Sequence, residues 1–213
     1  MTWEPPEIVP PTDPGRPHPY PPVPMVYGPG PDDELRSRVY EQMLARRTVF
    51  LDRGLDGETA TLVAAQLMTL DADADGESPV TLIVNSEGGP LEAVAGLLDT
   101  IELLHCPVDT TCLGQAGGTA AVVVAAGTGR RRAGAGAQFR LRLSKVELLG
   151  SATRLGHDVA HLRALHDALI DRLVAATGQD RRLVARDVER GRALSADEAV
   201  AYRLVDEVIK KGG

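Results

Sequence analysis

From Thr48 to the C-terminus, short β-rich runs alternate with stretches of helical period, and that alternation leaves few folds open. Thr48-Val49-Phe50-Leu51 follows a charged amphipathic stretch from Glu34 to Arg46. Gly57 to Leu70 then places Leu62, Val63, Gln66, Leu67 and Leu70 at helical spacing. Val80 to Val84 reads as a continuous strand ending in the turn Asn85-Ser86-Glu87-Gly88-Gly89-Pro90. Leu91 to Leu104 returns to helical period, and Val108 to Leu113 is the next strand. Gly117 to Ala126 predicts a helix of very small residues, which must pack tightly against its neighbours. Two further strand-like segments follow, around Arg131–Ala133 and Gln138–Leu143. A long helix runs from about Thr153 to Ala176, with Val159, Leu162, Leu165, Leu169 and Leu173 on one stripe. A short helix, Ser195 to Tyr202, is opened by a Ser195/Glu198 capping box and precedes a last strand near Val205–Ile209. The order predicts an α/β fold with covered sheets.

Residues 1–31 stand apart. Twelve of the fifteen prolines lie there, among them Pro5, Pro6, Pro10, Pro11, Pro21 and Pro22. Such a segment lacks backbone donors and apolar periodicity, so it is expected to be extended or disordered, with residues 32–213 forming one domain. A cleaved pro-segment, a ligand for a proline-reading partner and an inert tail are all compatible with it. The net charge of -7 gives no support to nucleic-acid binding, and Arg130-Arg131-Arg132 reads as a solvated turn. The two cysteines, Cys106 and Cys112, have no metal-ligand spacing and read as free buried thiols in a reducing compartment. No apolar run is long enough to span a membrane, and the N-terminus lacks the basic-then-apolar order of a secretory signal. The expectation is a cytoplasmic protein with neither a membrane nor a nucleic-acid partner.

Four stretches, in order and with matching gaps, carry a family resemblance. Asn85-Ser86-Glu87-Gly88-Gly89 resembles the Asn-Ser-Pro-Gly-Gly turn of the Clp protease proteolytic subunit. Gly114-Gln115-Ala116-Gly117-Gly118-Thr119-Ala120-Ala121 resembles its Gly-Gln-Ala-Ala-Ser-Met-Gly-Ala nucleophile segment. Thr177-Gly178-Gln179 with Arg186-Asp187-Val188-Glu189-Arg190, and then Leu194-Ser195-Ala196-Asp197-Glu198-Ala199 leading into Leu204-Val205-Asp206, follow the family's order. The resemblance covers roughly Pro24 onward, with the family's axial-loop region beginning near residue 24. It implies a crotonase-like α/β subunit with a projecting strand-helix handle, assembled into seven-membered rings of which two stack face to face.

A serine protease needs a hydroxyl nucleophile, an imidazole base and a carboxylate that orients the base. Matched to the family, the serine falls on Gly118, the histidine on Arg142 and, counting without gaps, the aspartate on Arg154. Glycine forms no acyl intermediate, and an arginine stays protonated and is no general base. The resemblance therefore implies a subunit without its triad, in which Gly88, Gly89 and the Thr119 backbone keep the shape of an oxyanion hole. Thr119, Ser86 and Ser151 are the hydroxyls near the vacant position, without a histidine that the family would bring to them. Glu87 replaces a proline beside the old site, so an ion pair from Arg142 or Arg154 to Glu87 or Glu147 is one expectation, and a carboxylate ligand held by the two cations is another. His157 and His161 are four apart on one helical face, but no third metal ligand accompanies them, and His166 is out of phase. No metal or cofactor is expected.

The family docks its ATPase through aromatic residues on the strand before Asn-Ser-Pro-Gly-Gly. Here the matched positions are Thr81 and Ile83, with Leu82 and Leu204 nearby, so docking to a Clp ATPase is in doubt. Three readings follow: a catalytically silent subunit that assembles with itself or with an active paralogue; a peptidase of this fold with relocated residues; and a binding module using the Arg-lined former site or the proline-rich arm.

Overall fold

A computed structural model describes residues 31–72, 78–143 and 152–210, with side chains from residue 38 and, in the long helix, from residue 159. The chain divides into two compact units, Met1–Ser37 and Arg38–Gly213. Among the described residues there are seven helices and seven strands, in the order α1 (Pro31–Leu44), β1 (Thr48–Leu51), α2 (Gly57–Ala72), β2 (Val80–Ser86), α3 (Leu91–Leu103), β3 (Val108–Gly117), α4 (Thr119–Ala125), β4 (Arg131–Gly134), β5 (Gln138–Leu141), α5 (Ala152–Thr177), α6 (Arg181–Arg190), β6 (Arg192–Ser195), α7 (Ala196–Ala201) and β7 (Glu207–Ile209). The fold is mixed α/β, as the alternation predicts.

Five strands form a parallel run in the order β1-β2-β3-β4-β7. β3 is longer than its apolar part and serves two neighbours. Its first half, Thr110–Cys112, pairs with β4, and its second half, Gln115–Gly117, pairs with β5. The β2–β3 register shifts between Val84 and Ser86, so that Ser86 pairs with Ala116. This bulge redirects the strand ends, and β6 then closes antiparallel on β5, with Leu141 opposite Arg192. The expected strand Val108–Leu113 thus continues through Gly114, where apolar content stops but the backbone ladder does not.

Alternation along the strands separates the two faces. Val49, Leu51, Leu82 and Val84 are buried in the core, whereas Phe50, Thr81 and Ile83 are half-buried on the opposite face and Leu113 is 44% exposed. Parallel sheets are ordinarily covered on both faces. Among the described residues one face is only partly covered, and there the Tyr40 ring meets Phe50 edge-on at 6.1 Å.

α4 is buried along its whole length, which explains its small residues. Its C-terminal end is satisfied by Thr110 Oγ1, which donates to the Val124 carbonyl at 2.7 Å. On α5, Leu169 and Leu173 of the expected stripe are buried together with Ile170, while Val159, Leu162 and Leu165 are half-buried. The Ser195/Glu198 capping box of α7 forms as expected. α6 has a narrow apolar stripe, with Val184 and Val188 buried among charged residues. The Asp180 side chain caps its N-terminus by accepting from Arg182 and Leu183 N–H, and Gly191 ends it in the left-handed conformation. Among the described residues no helix is long and apolar enough to cross a membrane. Cys106 and Cys112 are buried free thiols; burial pushes both upward, Cys112 to about 12.

Candidate functional site

The junction of β3 and α4 is a sharp strand-to-helix turn, and Gly118 sits on it with φ 54° and ψ -121°. Other hydrolase folds display a nucleophilic serine on a strand-to-helix turn of this strained kind. Its N–H donates to the Arg140 carbonyl at 2.9 Å, and Arg142 N–H donates to the same oxygen at 3.0 Å. That shared acceptor brings the Arg142 backbone across the turn. A Cβ on Gly118 would come within 2.8 Å of the Arg142 carbonyl oxygen, a distance that real Cβ atoms do not tolerate. The volume that a side chain at 118 would need is therefore occupied by main chain.

Arg142 is exposed, and its aliphatic stem lies against Gly191, whose notional Cβ would be 3.4 Å from the arginine Cδ. The β5–β6 ladder causes this, because pairing Leu141 with Arg192 sets residues 142 and 191 side by side. A side chain at 191 would touch the one at 142, as a carboxylate must touch the base it orients. Position 191 is a glycine at φ 66°, and sequence reasoning passed over it. Arg154 lies in the first turn of α5, and its side chain is outside the described residues. The structure thus brings Gly118, Arg142 and Gly191 together.

Behind Gly191, the buried Asp187 carboxylate accepts from Arg192 Nη1 at 2.8 Å and from Arg186 Nη2 at 3.4 Å. The Arg192 guanidinium also stands 5.3 Å over the Tyr202 ring. Burial, and then the Asp187 charge, push the Tyr202 phenol up to about 12, so it stays protonated. These contacts tie the two sides of the α6–β6 turn together and to Tyr202.

The remaining site residues are close by, but their polar groups are already engaged. Gly88 N–H donates to Ser86 Oγ at 3.1 Å and Gly89 N–H donates to Thr119 Oγ1 at 2.9 Å. Ser86 is buried and donates to the Arg53 carbonyl at 2.6 Å. Thr119 is fully buried, and its hydroxyl donates back to the Gly89 carbonyl at 3.2 Å. Neither hydroxyl contacts a base, and among the described residues no hydroxyl or thiol is hydrogen-bonded to a histidine. His105 pairs with Asp71 on the surface and His161 is exposed on α5. The side chain of His157 is outside the described residues, among which no His, Cys, Asp and Glu cluster suits a metal ion.

Glu87 is exposed with its carboxylate toward Gly54, and it does not pair with Arg142. Among the described residues Arg142 makes no ion pair. Glu147 and Ser151 lie outside the described residues. Thr81 and Ile83 are half-buried side by side on the outward face of β2, but Leu82 and Leu204 are fully buried in the core and supply no surface for docking.

The Clp protease family model matches residues 31–212 of this chain. An ATP-dependent Clp protease proteolytic subunit-like protein of Streptomyces coelicolor is 40% identical over 173 residues, covering 80% of this chain and 82% of that protein.

Proposed function

The chain belongs to the Clp protease family, and from that premise we propose that it is a catalytically silent proteolytic-subunit-like protein acting within a ring assembly. The observation that carries the reading is at Gly118: the residue on this strand-to-helix turn has no side chain, and the Arg142 carbonyl stands where one would begin. The second position is a permanently charged arginine. We take the third to be Gly191, in place of Arg154, because position 191 is the one set against residue 142. A triad needs three side chains in contact; two of these three positions have none. Relocated catalysis is disfavoured because the hydroxyls of Ser86 and Thr119 are buried and spent on backbone groups.

Assembly is supported by the half-covered face bearing Phe50, Ile83 and Leu113, since a parallel sheet gains by covering it. The family forms rings, and we propose that a second copy or an active paralogue covers this face, as a seven-membered ring, single or stacked. The domain that enters the ring is residues 32–213, with the proline-rich segment 1–31 outside it, and the ring works in the cytoplasm. Direct docking of a Clp ATPase is not part of the proposal, because Thr81 and Ile83 offer no aromatic anchor and Leu204 is buried. The test is to measure the native mass of the pure protein, and its peptidase turnover with and without the host's active subunit. A ring-sized, inactive particle that takes up the active paralogue is expected. Turnover by the pure particle, once contaminating protease has been excluded, overturns the proposal.

A further inference from the structure

A cavity of about 760 Å³ opens beside Arg142, between α5 and α6. Its volume is within the roughly 300–1,000 Å³ range of small-ligand sites. Its floor is apolar, from Leu91, Leu143, Leu162 and Ile170, and its rim is arginine-rich. Two rim arginines are already engaged: Arg181 pairs with Asp167 at 3.2 Å and Asp171 at 2.7 Å, and Arg186 pairs with Asp187 at 3.4 Å. Arg142, Arg163 and Arg182 make no ion pair with any described residue, and all three are exposed. The wall also carries His166 and one acid without a cationic partner, Glu189. In a chain of net charge -7, this is a local excess of uncommitted guanidinium groups around an apolar trough.

An apolar trough with a planar cationic fork at its head is complementary to an extended apolar peptide ending in a free carboxylate. The trough takes the side chains, and a guanidinium donates two parallel hydrogen bonds to the carboxylate. Arg142 is the strongest candidate for the fork. Its stem is seated on Gly191, so less side-chain freedom is lost on binding than for an arginine projecting into water. We propose that this cavity binds the C-terminal carboxylate end of short apolar peptides, with Arg142 as the anion anchor. The proposal rests on the catalytically silent reading, since a bound end must persist without being turned over. It gives the former site a role as a receptor for peptide products.

The experiment uses the full chain and calorimetric titration with N-acetylated trileucine, as the free acid and as the C-terminal amide. The acid is expected to bind about tenfold tighter than the amide. Arg142→Gln, an exposed change that leaves the fold intact, is expected to remove that preference, and Arg163→Gln to reduce it. Equal binding of acid and amide, or a preference that survives Arg142→Gln, overturns the proposal. Absence of binding to either peptide overturns it too and leaves the silent reading standing. Mass spectrometry of the same samples separates the two: cleavage of either peptide refutes the silent reading itself.

Discussion

Placing a serine at position 118 is the perturbation whose outcome the geometry fixes most tightly. In Gly118→Ser the new Cβ enters a backbone conformation, φ 54° and ψ -121°, that L-residues occupy at a cost of about 1–3 kcal/mol. It also lands 2.8 Å from the Arg142 carbonyl oxygen, which is main chain and cannot rotate away. Relief requires moving residue 142, whose N–H is bonded to Arg140 at 3.0 Å, and that disturbs the second bond to Arg140 from Gly118 itself. Together these cost about 2–3 kcal/mol, at the upper end of ordinary single substitutions. At about 2–4 °C per kcal/mol for a domain of this size, the melting temperature falls by about 4–12 °C. Gly118→Ala is expected to fall equally, because both penalties belong to Cβ and not to the hydroxyl. Calorimetry or a dye-based melt reads the shift, and a fluorogenic peptide assay reads activity, which stays at background since the neighbouring Arg142 is no general base. A serine variant as stable as the parent, or one that hydrolyses peptide by itself, refutes the reasoning about this turn.

Other outcomes follow from single contacts. Thr119→Val removes a fully buried hydroxyl that serves both the N–H and the carbonyl of Gly89; chemical denaturation is expected to show a loss of about 1–3 kcal/mol. Burial pushes the Asp206 carboxyl up, but hydrogen bonds from the Arg131 side chain and N–H outweigh this and leave it below the usual carboxylate range. A depressed carboxylate stabilises the fold above its unfolded value of about 4 and loses that contribution as pH falls through the lower folded value. Asp206→Asn should therefore flatten the decline of stability on acidification below about pH 4, as followed by denaturation across pH. Cys106 and Cys112 are buried with raised thiol values, so iodoacetamide at pH 8 should label neither in the native protein and both in denaturant, read by intact mass.

Most of the fold was legible because its segments carry local signals. β1, β2 and the first half of β3 are apolar or β-branched runs, and α7 is announced by Ser195 and Glu198. α6 is less legible because only Val184 and Val188 mark its buried side, although Asp180 and Gly191 carry cap signals at its two ends. The second half of β3 escaped because Gly114-Gln115-Ala116-Gly117 has no apolar pattern, and its pairing with β5 is set by a bulge opposite Val84–Ser86. At the site, Gly118 and Arg142 were found from local motifs. Gly191 was not, because its approach to Arg142 depends on a β5–β6 pairing distant in sequence, Leu141 with Arg192. Counting without gaps led to Arg154 instead. The engagement of Ser86 and Thr119 by backbone groups was also beyond the sequence, since it depends on how closely the turn at Gly88–Gly89 approaches α4.

Intact-protein mass after exposure to a fluorophosphonate asks directly whether this site forms a covalent serine-protease adduct. The account predicts an unchanged mass under conditions that label an active Clp proteolytic subunit to completion, because Gly118 offers no nucleophile and the hydroxyls of Ser86 and Thr119 are buried and committed. A stoichiometric single adduct mapping to Thr119 or Ser86 would contradict it and make this chain an enzyme.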